Sequence, residues 1–251
     1  MVPVYISLTT IFKNQAILLK TLQSIIVQTT LPDKIYLFIS EKPFLLDTGF
    51  TNKIITNNNL LKFLKTHETT IELMWVNNQG SYRKLIPLLK QKWSEDCIII
   101  TIDDDTVYDN NLIQNLLHDY SIHKCVINYR GFTPKINTIN DFDYNTRIET
   151  VERHLYNFPT GKGGILYKPS FFKNTDDLIF NENIYMKYCT TGDDIWFYLL
   201  RIKNNIDCCI LPKKWMISDL TNNGLFCNFN SNNNNNTRML HNTRIQLETS
   251  S

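Results

Sequence analysis

Five carboxylates in two groups carry the chemistry available to this sequence. The first group is Asp103, Asp104 and Asp105, which end the run CIIITIDDD. The second is Asp193–Asp194, about ninety residues later in CTTGDDIWFYLLRIKNN. Adjacent carboxylates repel, and partial burial adds a desolvation cost that a bound cation removes. In extended chain Asp103 and Asp105 point to one side and Asp104 to the other. Two hard oxygen ligands on one side suit Mg²⁺ or Mn²⁺. An acidic surface turn before a helix at Asp109 is the plainer alternative. In the second group, acids in a helix's first turn complement its dipole. Two exceed what that requires, so Asp194, with Asp193 beside it, is a candidate general base.

These groups need elements to position them. Residues 98–102 are all Ile or Thr. Such a run reads as a strand buried on both faces, inside a mostly parallel sheet. Ligands of open α/β sheets bind beyond the carboxyl ends of the strands, where the triplet falls. Strand patterns at 2–10, 34–40, 70–76, 124–129 and 207–211 alternate with helix patterns at 14–28, 60–65, 86–92 and 110–120. The alternation predicts an α/β fold with a mostly parallel, Rossmann-like sheet flanked by helices. Asn14 is expected to cap the first helix, and Thr190 or Thr191 the one bearing the acidic pair. Pro87 belongs in a helix's first turn, which leaves Gly80 to Lys84 as a loop. Arg83 and Lys84 then lie at the ligand edge, either meeting phosphate oxygens or simply solvated. Gly161, Gly163 and Gly164 in FPTGKGGILYKP permit close backbone approach to a ligand, or make a plain turn. Residues 131–157 have weak periodicity, and so long an irregular stretch is expected to be functional or mobile.

The chain has 251 residues, 43% hydrophobic and 20% charged, enough for a large core. A net charge of +2 implies neither a nucleic-acid partner nor a charged membrane surface. The six cysteines show no CxxC or zinc spacing and read as reduced thiols of a cytoplasmic protein. No apolar run approaches transmembrane length, and MVPVYISLTT opens as a strand, without the marks of a leader. A single domain is expected over residues 1–215, followed by a polar, Asn-rich, partly mobile segment, 216–251. His241 in that segment is either a surface histidine or, if the tail folds back, a further metal ligand.

The order and spacing of ISLTTI, SIIVQTTLPDKIYLFI, KLIPLLK, IITIDDDTVY, GGILYKP and GDDIWFYLLR resemble the GT-A-type glycosyltransferases. The resemblance covers roughly residues 3–215 and is closest to the inverting, family-two-like branch. It implies a GT-A-like fold and metal-dependent sugar transfer, with Mn²⁺ or Mg²⁺, from a UDP- or GDP-linked donor to an acceptor hydroxyl. The acceptor is left open among glycan, protein and lipid. Thr9 and Thr10 would border the nucleotide, and Lys84 its base or diphosphate. Asp103 and Asp105 match the DxD pattern, with Asp105 a direct metal ligand. Asp104 would contact ribose or metal-bound water, and Gly163 and Gly164 would approach the nucleotide-sugar. Asp193–Asp194 occupies the place of an acidic pair that is usually Glu-Asp, which makes Asp194 the base. The chain departs from the pattern at Asn14, where many relatives carry arginine, and at Ser81, Tyr82 and Arg83. Two other classes stand beside this reading. A nucleotidyltransferase predicts a Gly-rich, basic loop after the first strand, but residues 11–16, IFKNQA, contain no glycine. A non-catalytic nucleotide- or glycan-binding protein on the same fold predicts loss of one acidic group, and both are present.

Overall fold

In the computed structural model the described residues are 2–136, 138–211, 218–220, 226–230 and 234–249. The chain alternates as the sequence pattern requires through β1 (Val4–Thr9), α1 (Gln15–Ile26), β2 (Lys34–Ile39), α2 (Asn58–Thr66), β3 (Ile71–Trp75), α3 (Ile86–Gln91) and β4 (Ile98–Thr101). The short β5 (Thr106–Val107) and then α4 (Leu112–His123) and β6 (Val126–Asn128) follow. Next come β7 (Gly131–Pro134), β8 (Arg147–Ile148), β9 (Arg153–His154), β10 (Phe158–Pro159) and β11 (Ile165–Tyr167). The chain continues through α5 (Asp176–Ile179), α6 (Glu182–Tyr188), α7 (Asp193–Lys203), β12 (Cys208–Ile210), β13 (Ser218–Asp219) and α8 (Asn235–Thr249).

The main sheet runs β3-β2-β1-β4-β11-β6-β12-β9. Only β11 and β9 run antiparallel to their neighbours. Side-chain alternation assigns each central strand to two cores. Ile98, Ile100 and Ile102 pack with Leu18 and Leu22 of α1 and Leu112 and Leu116 of α4. Ile99 packs on the opposite face with Leu88 of α3 and Phe197 and Leu200 of α7. Both faces of β4 are therefore dry, which is why its sequence is unbroken Ile and Thr. The sheet is mostly parallel and helix-flanked, as expected.

Several local expectations are corrected. Asn14 stands at the N-cap of α1 as expected, but its side chain makes no capping hydrogen bond and its Nδ2 donates to Asp104 instead. Neither Thr190 nor Thr191 caps α7, whose N-cap is Gly192. Thr190 Oγ1 donates to the Met186 carbonyl and Thr191 Oγ1 to Asn230 Oδ1. The stretch 131–157 carries three short strands, β7, β8 and β9, and β7 and β8 join β10 in a small second sheet. Its register was hidden because its strands are two to four residues long, too short to establish a period. The boundary expected at 215/216 lies outside the described residues. Within the polar C-terminal segment, residues 235–249 form α8, with Met239, Leu240 and Leu247 buried against the α6–α7 core.

Candidate active site

A cleft of about 570 Å³ opens at the carboxyl ends of β1 and β4. Thr9, Thr10, Arg83, Lys84, Asp103, Asp104, Asp105, Asp193 and Asp194 all line it. Two acidic groups far apart in sequence are thus brought to one place.

Lys84 joins them. It ends a short 3₁₀ helix, Gly80–Lys84, whose residues are held by different neighbours. The Tyr82 hydroxyl donates to the Cys189 carbonyl (2.7 Å), and its ring stacks on Tyr185 at 4.3 Å. Ser7 Oγ donates to the Lys84 carbonyl (2.5 Å). The buried Lys84 ammonium then sits 3.0 Å from Asp193, 3.1 Å from Asp103 and 3.9 Å from Asp194. Desolvation works against its charge, but the three carboxylates outweigh it and hold its pKa well above the usual lysine value. Neither Lys84 nor Arg83 is a solvated loop cation.

Asp193 and Asp194 have different surroundings. Asp193 is buried and turned into Lys84. Asp194 keeps 27% side-chain exposure. Its Oδ2 accepts from the Gly161 amide (3.1 Å), while its Oδ1 accepts no hydrogen bond. Desolvation, offset in part by Lys84 and reinforced by Asp193 and Asp103, pushes its pKa up to about 7. A carboxylate of that pKa can take a proton near neutral pH.

The triplet is not extended as expected: β4 ends at Thr101, and Asp104 and Asp105 lie in a turn. Asp103 faces Lys84. Asp104 points toward α1, where it accepts from Thr10 Oγ1 and from Asn14 Nδ2 (3.1 Å). Burial raises its pKa to about 7 against the pull of those two hydrogen bonds. Asp105 lines the cleft next to the tail: its carbonyl accepts from the Leu220 amide (2.9 Å), and β13 pairs antiparallel with β5. Thr9 Oγ1 is committed to the Phe38 carbonyl (2.7 Å).

Three expected residues are not brought to the cleft. Gly163 and Gly164 do not line it. Gly163 is held close to Arg130, where a Cβ would fall 2.6 Å from the Arg130 amide, and Gly164 has φ +72°. Their freedom serves the turn into β11. The glycine at the site is Gly161, where a Cβ would lie 2.6 Å from Lys84 Nζ and 3.1 Å from Asp103 Oδ1. His241, on α8, is not among the lining residues either. Among the described residues no three His, Cys, Asp or Glu side chains form a ready metal cage.

Sequence reasoning also missed Asp47. It follows β2 and accepts hydrogen bonds from the Phe12 and Gly49 amides and from Asn78, and it pairs with Arg83 at 3.0 Å. Both partners are buried, and Arg83 Nη1 has no hydrogen-bond partner. The available signal was Asp-Thr-Gly after a strand's carboxyl end, an Asx turn closed by a glycine at φ +77°. Arg130 and Arg147, on the other side of the cleft, were also missed.

No family model matches this chain, and no curated protein matches it. Solved structures do. S. aureus TarS 1-349 in complex with UDP aligns at TM-score 0.53 and 15% identity, over 86% of this chain and 59% of that one. The same TarS chain in complex with UDP-GlcNAc aligns at TM-score 0.53 and 14% identity, over 88% and 59%. The 4-diphosphocytidyl-2C-methyl-D-erythritol synthase from Anaerococcus prevotii DSM 20548 aligns at TM-score 0.52 and 10% identity, over 98% and 99%. This chain therefore spans just under three fifths of the TarS chain it matches. At these identities the likeness is one of fold, and that fold is GT-A-like. No helix among the described residues is long and apolar enough to cross a membrane.

Proposed function

We propose that this protein transfers a sugar from a nucleotide-linked donor to an acceptor hydroxyl. One observation carries the reading: a single cleft gathers the strand-end triplet, the helix-start pair and one buried lysine. The neighbour structures solved with UDP and UDP-GlcNAc support a nucleotide-sugar as donor. In this reading the acceptor hydroxyl passes its proton to the Asp194 carboxylate as its oxygen attacks the anomeric carbon. The bond from that carbon to the diphosphate breaks, and the nucleoside diphosphate leaves with the electron pair. A single displacement of this kind inverts the anomeric centre. Lys84 lies where it can stabilise the leaving charge.

The donor set suits Mg²⁺ or Mn²⁺ in its substrate-assisted form. Such an ion uses one or two carboxylates and completes its shell with substrate phosphates and water. Asp105 and Asp103 would supply those carboxylates, and the concentration of negative charge around Lys84 favours a cation there. The ion, when bound, would neutralise charge on the diphosphate. His241 is outside this set. The test is calorimetric titration with UDP and with GDP, each with and without Mn²⁺. Binding that needs the metal and is lost in Asp105→Ala is the expected result. Binding unchanged by a chelator would remove the metal from the proposal, and failure to bind either nucleotide would remove the donor.

A second reading, nucleotidyl transfer, is favoured by the near-complete mutual coverage with the A. prevotii synthase. Against it, residues 11–16 form no glycine-rich loop, and Asn14 is tied to Asp104.

A further inference from the structure

The two walls of the cleft differ in how their cations are held. Several cations among the described residues have carboxylate partners. Arg83 pairs with Asp47, Arg153 with Asp207, Arg244 with Glu248 and Lys168 with Asp96. Arg130 and Arg147 are exceptions: among the described residues neither forms an ion pair with a carboxylate, and both line the cleft. Both are exposed, but neither guanidinium lacks support. Arg147 lies over the Phe132 ring at 3.9 Å and near Tyr144 at 5.7 Å. Arg130 Nη1 donates to Thr160 Oγ1 (3.3 Å). A stacked guanidinium keeps its N–H edge available while its orientation is restricted by the ring. The wall is itself braced from behind: the Tyr144 amide donates to Thr237 of α8 (3.1 Å), and Phe132, Phe142, Tyr144 and Phe158 pack together. Lys162 adds a third positive charge on this side.

The position of these cations relative to Asp194 matters. Tyr144, 5.7 Å from the Arg147 guanidinium, lines the same cleft as Arg130 and Asp194. Thr160, which holds Arg130, directly precedes Gly161, whose amide holds Asp194. Arg130 is therefore anchored one residue along the chain from the amide that holds the carboxylate which would receive the acceptor's proton, and Arg147 lines the same cleft.

We infer that the acceptor is an acidic molecule, a hydroxyl-bearing saccharide or polyol with a phosphate or carboxylate held by Arg130 and Arg147. Planar, bidentate guanidinium donors match both anions, and an aromatic backing suits a sugar ring beside the charge. The word acceptor rests on the transferase reading above; the preference for an anion does not.

The test uses the full chain and measures binding of glucose, glucuronate and glucose 6-phosphate by ligand-observed NMR. At least one acid is expected to bind about tenfold more tightly than glucose, and the preference should weaken with added salt. Tighter binding of glucose 6-phosphate identifies phosphate as the anion, and tighter binding of glucuronate identifies carboxylate. In R130Q/R147Q the preference is expected to vanish while the melting temperature holds, since both side chains are exposed. Equal affinity for glucose and both acids, or a preference that survives in R130Q/R147Q, would overturn the inference. Loss of UDP and GDP binding with the acid preference intact would instead refute the transferase reading alone.

Discussion

Arg83 and Arg147 are the same side chain on opposite walls of one cleft, and their surroundings assign them different work. Arg83 is 1% exposed, and it is paired with Asp47 and bonded to the Gly80 carbonyl at 3.0 Å. Arg147 lies on an exposed two-residue strand and is supported by rings. On the first wall charge is desolvated and preorganised, so removing one partner strands the other. On the second, charge remains hydrated and can be given up to a ligand without unmaking the fold.

The largest effect should come from the carboxylate between the walls. Asp194→Asn is expected to lower transfer by about 10²–10⁴-fold, the usual contribution of a general base. Its pKa near 7 requires activity to rise with pH through about 7 and then level off, because the base must be ionised. The stability effect has a defined sign. A carboxyl whose pKa is higher folded than unfolded binds more protons when folded, so its contribution falls as pH rises from about 4 to about 7. Asp194→Asn should therefore raise the melting temperature at pH 8 and leave it nearly unchanged at pH 4. A flat pH–rate profile, or full activity in the variant, would remove Asp194 as base.

The next largest effect is on folding. Arg83→Met leaves Asp47 buried without its cation and should cost about 3–5 kcal/mol in denaturant unfolding. Adding Asp47→Asn should recover part of that loss, because the stranded charge is gone while the amide oxygen can still accept from Phe12 and Gly49. If the double variant is no better than the single, the first wall is not held by this pair.

Gly161→Ala separates geometry from stability. The new Cβ falls 2.6 Å from Lys84 Nζ, so the ammonium must shift, and weakening its pairs with Asp103 and buried Asp193 should cost about 1–3 kcal/mol. The displaced ammonium leaves Asp103 and Asp193, and activity should fall by about 10²-fold. Unchanged kinetics would mean that Lys84 need not sit where it does. The smallest effect closes the comparison. Arg147→Gln should change unfolding free energy by no more than about 0.5–1 kcal/mol, the loss of an exposed cation–π contact. A loss like that of Arg83→Met would show the second wall to be structural after all.

Much of the scaffold was legible in the amino-acid pattern because its causes are local. Unbroken Ile and Thr from 98 to 102 require a strand dry on both faces, and the acids that follow must emerge at its end. Pro87 had to sit in a first turn, and does. Asp104 does part from Asp103, bonding Thr10 and Asn14, but a turn after Thr101 and not extended geometry separates them. Where several partners competed for one polar group, sequence reasoning failed. Asn14 does stand at the N-cap of α1, but its amide donates to buried Asp104 and its oxygen makes no capping bond to the helix. Gly163 and Gly164 looked like the ligand loop, yet only their neighbour Gly161 faces Lys84 and Asp103.

The sequence by itself determined the alternating sheet and the acidic types delivered to its carboxyl edge. Periodicity and burial are written in neighbouring residues. Only the tertiary structure decided which charges meet: Lys84 with Asp193, Arg83 with Asp47, and Arg130 and Arg147 with no carboxylate among the described residues. Those pairings follow from the strand order β3-β2-β1-β4-β11-β6-β12, which sets residues far apart in sequence within about 3 Å. A Coulomb interaction depends on that distance and on the water excluded around it, and neither is a property of local sequence.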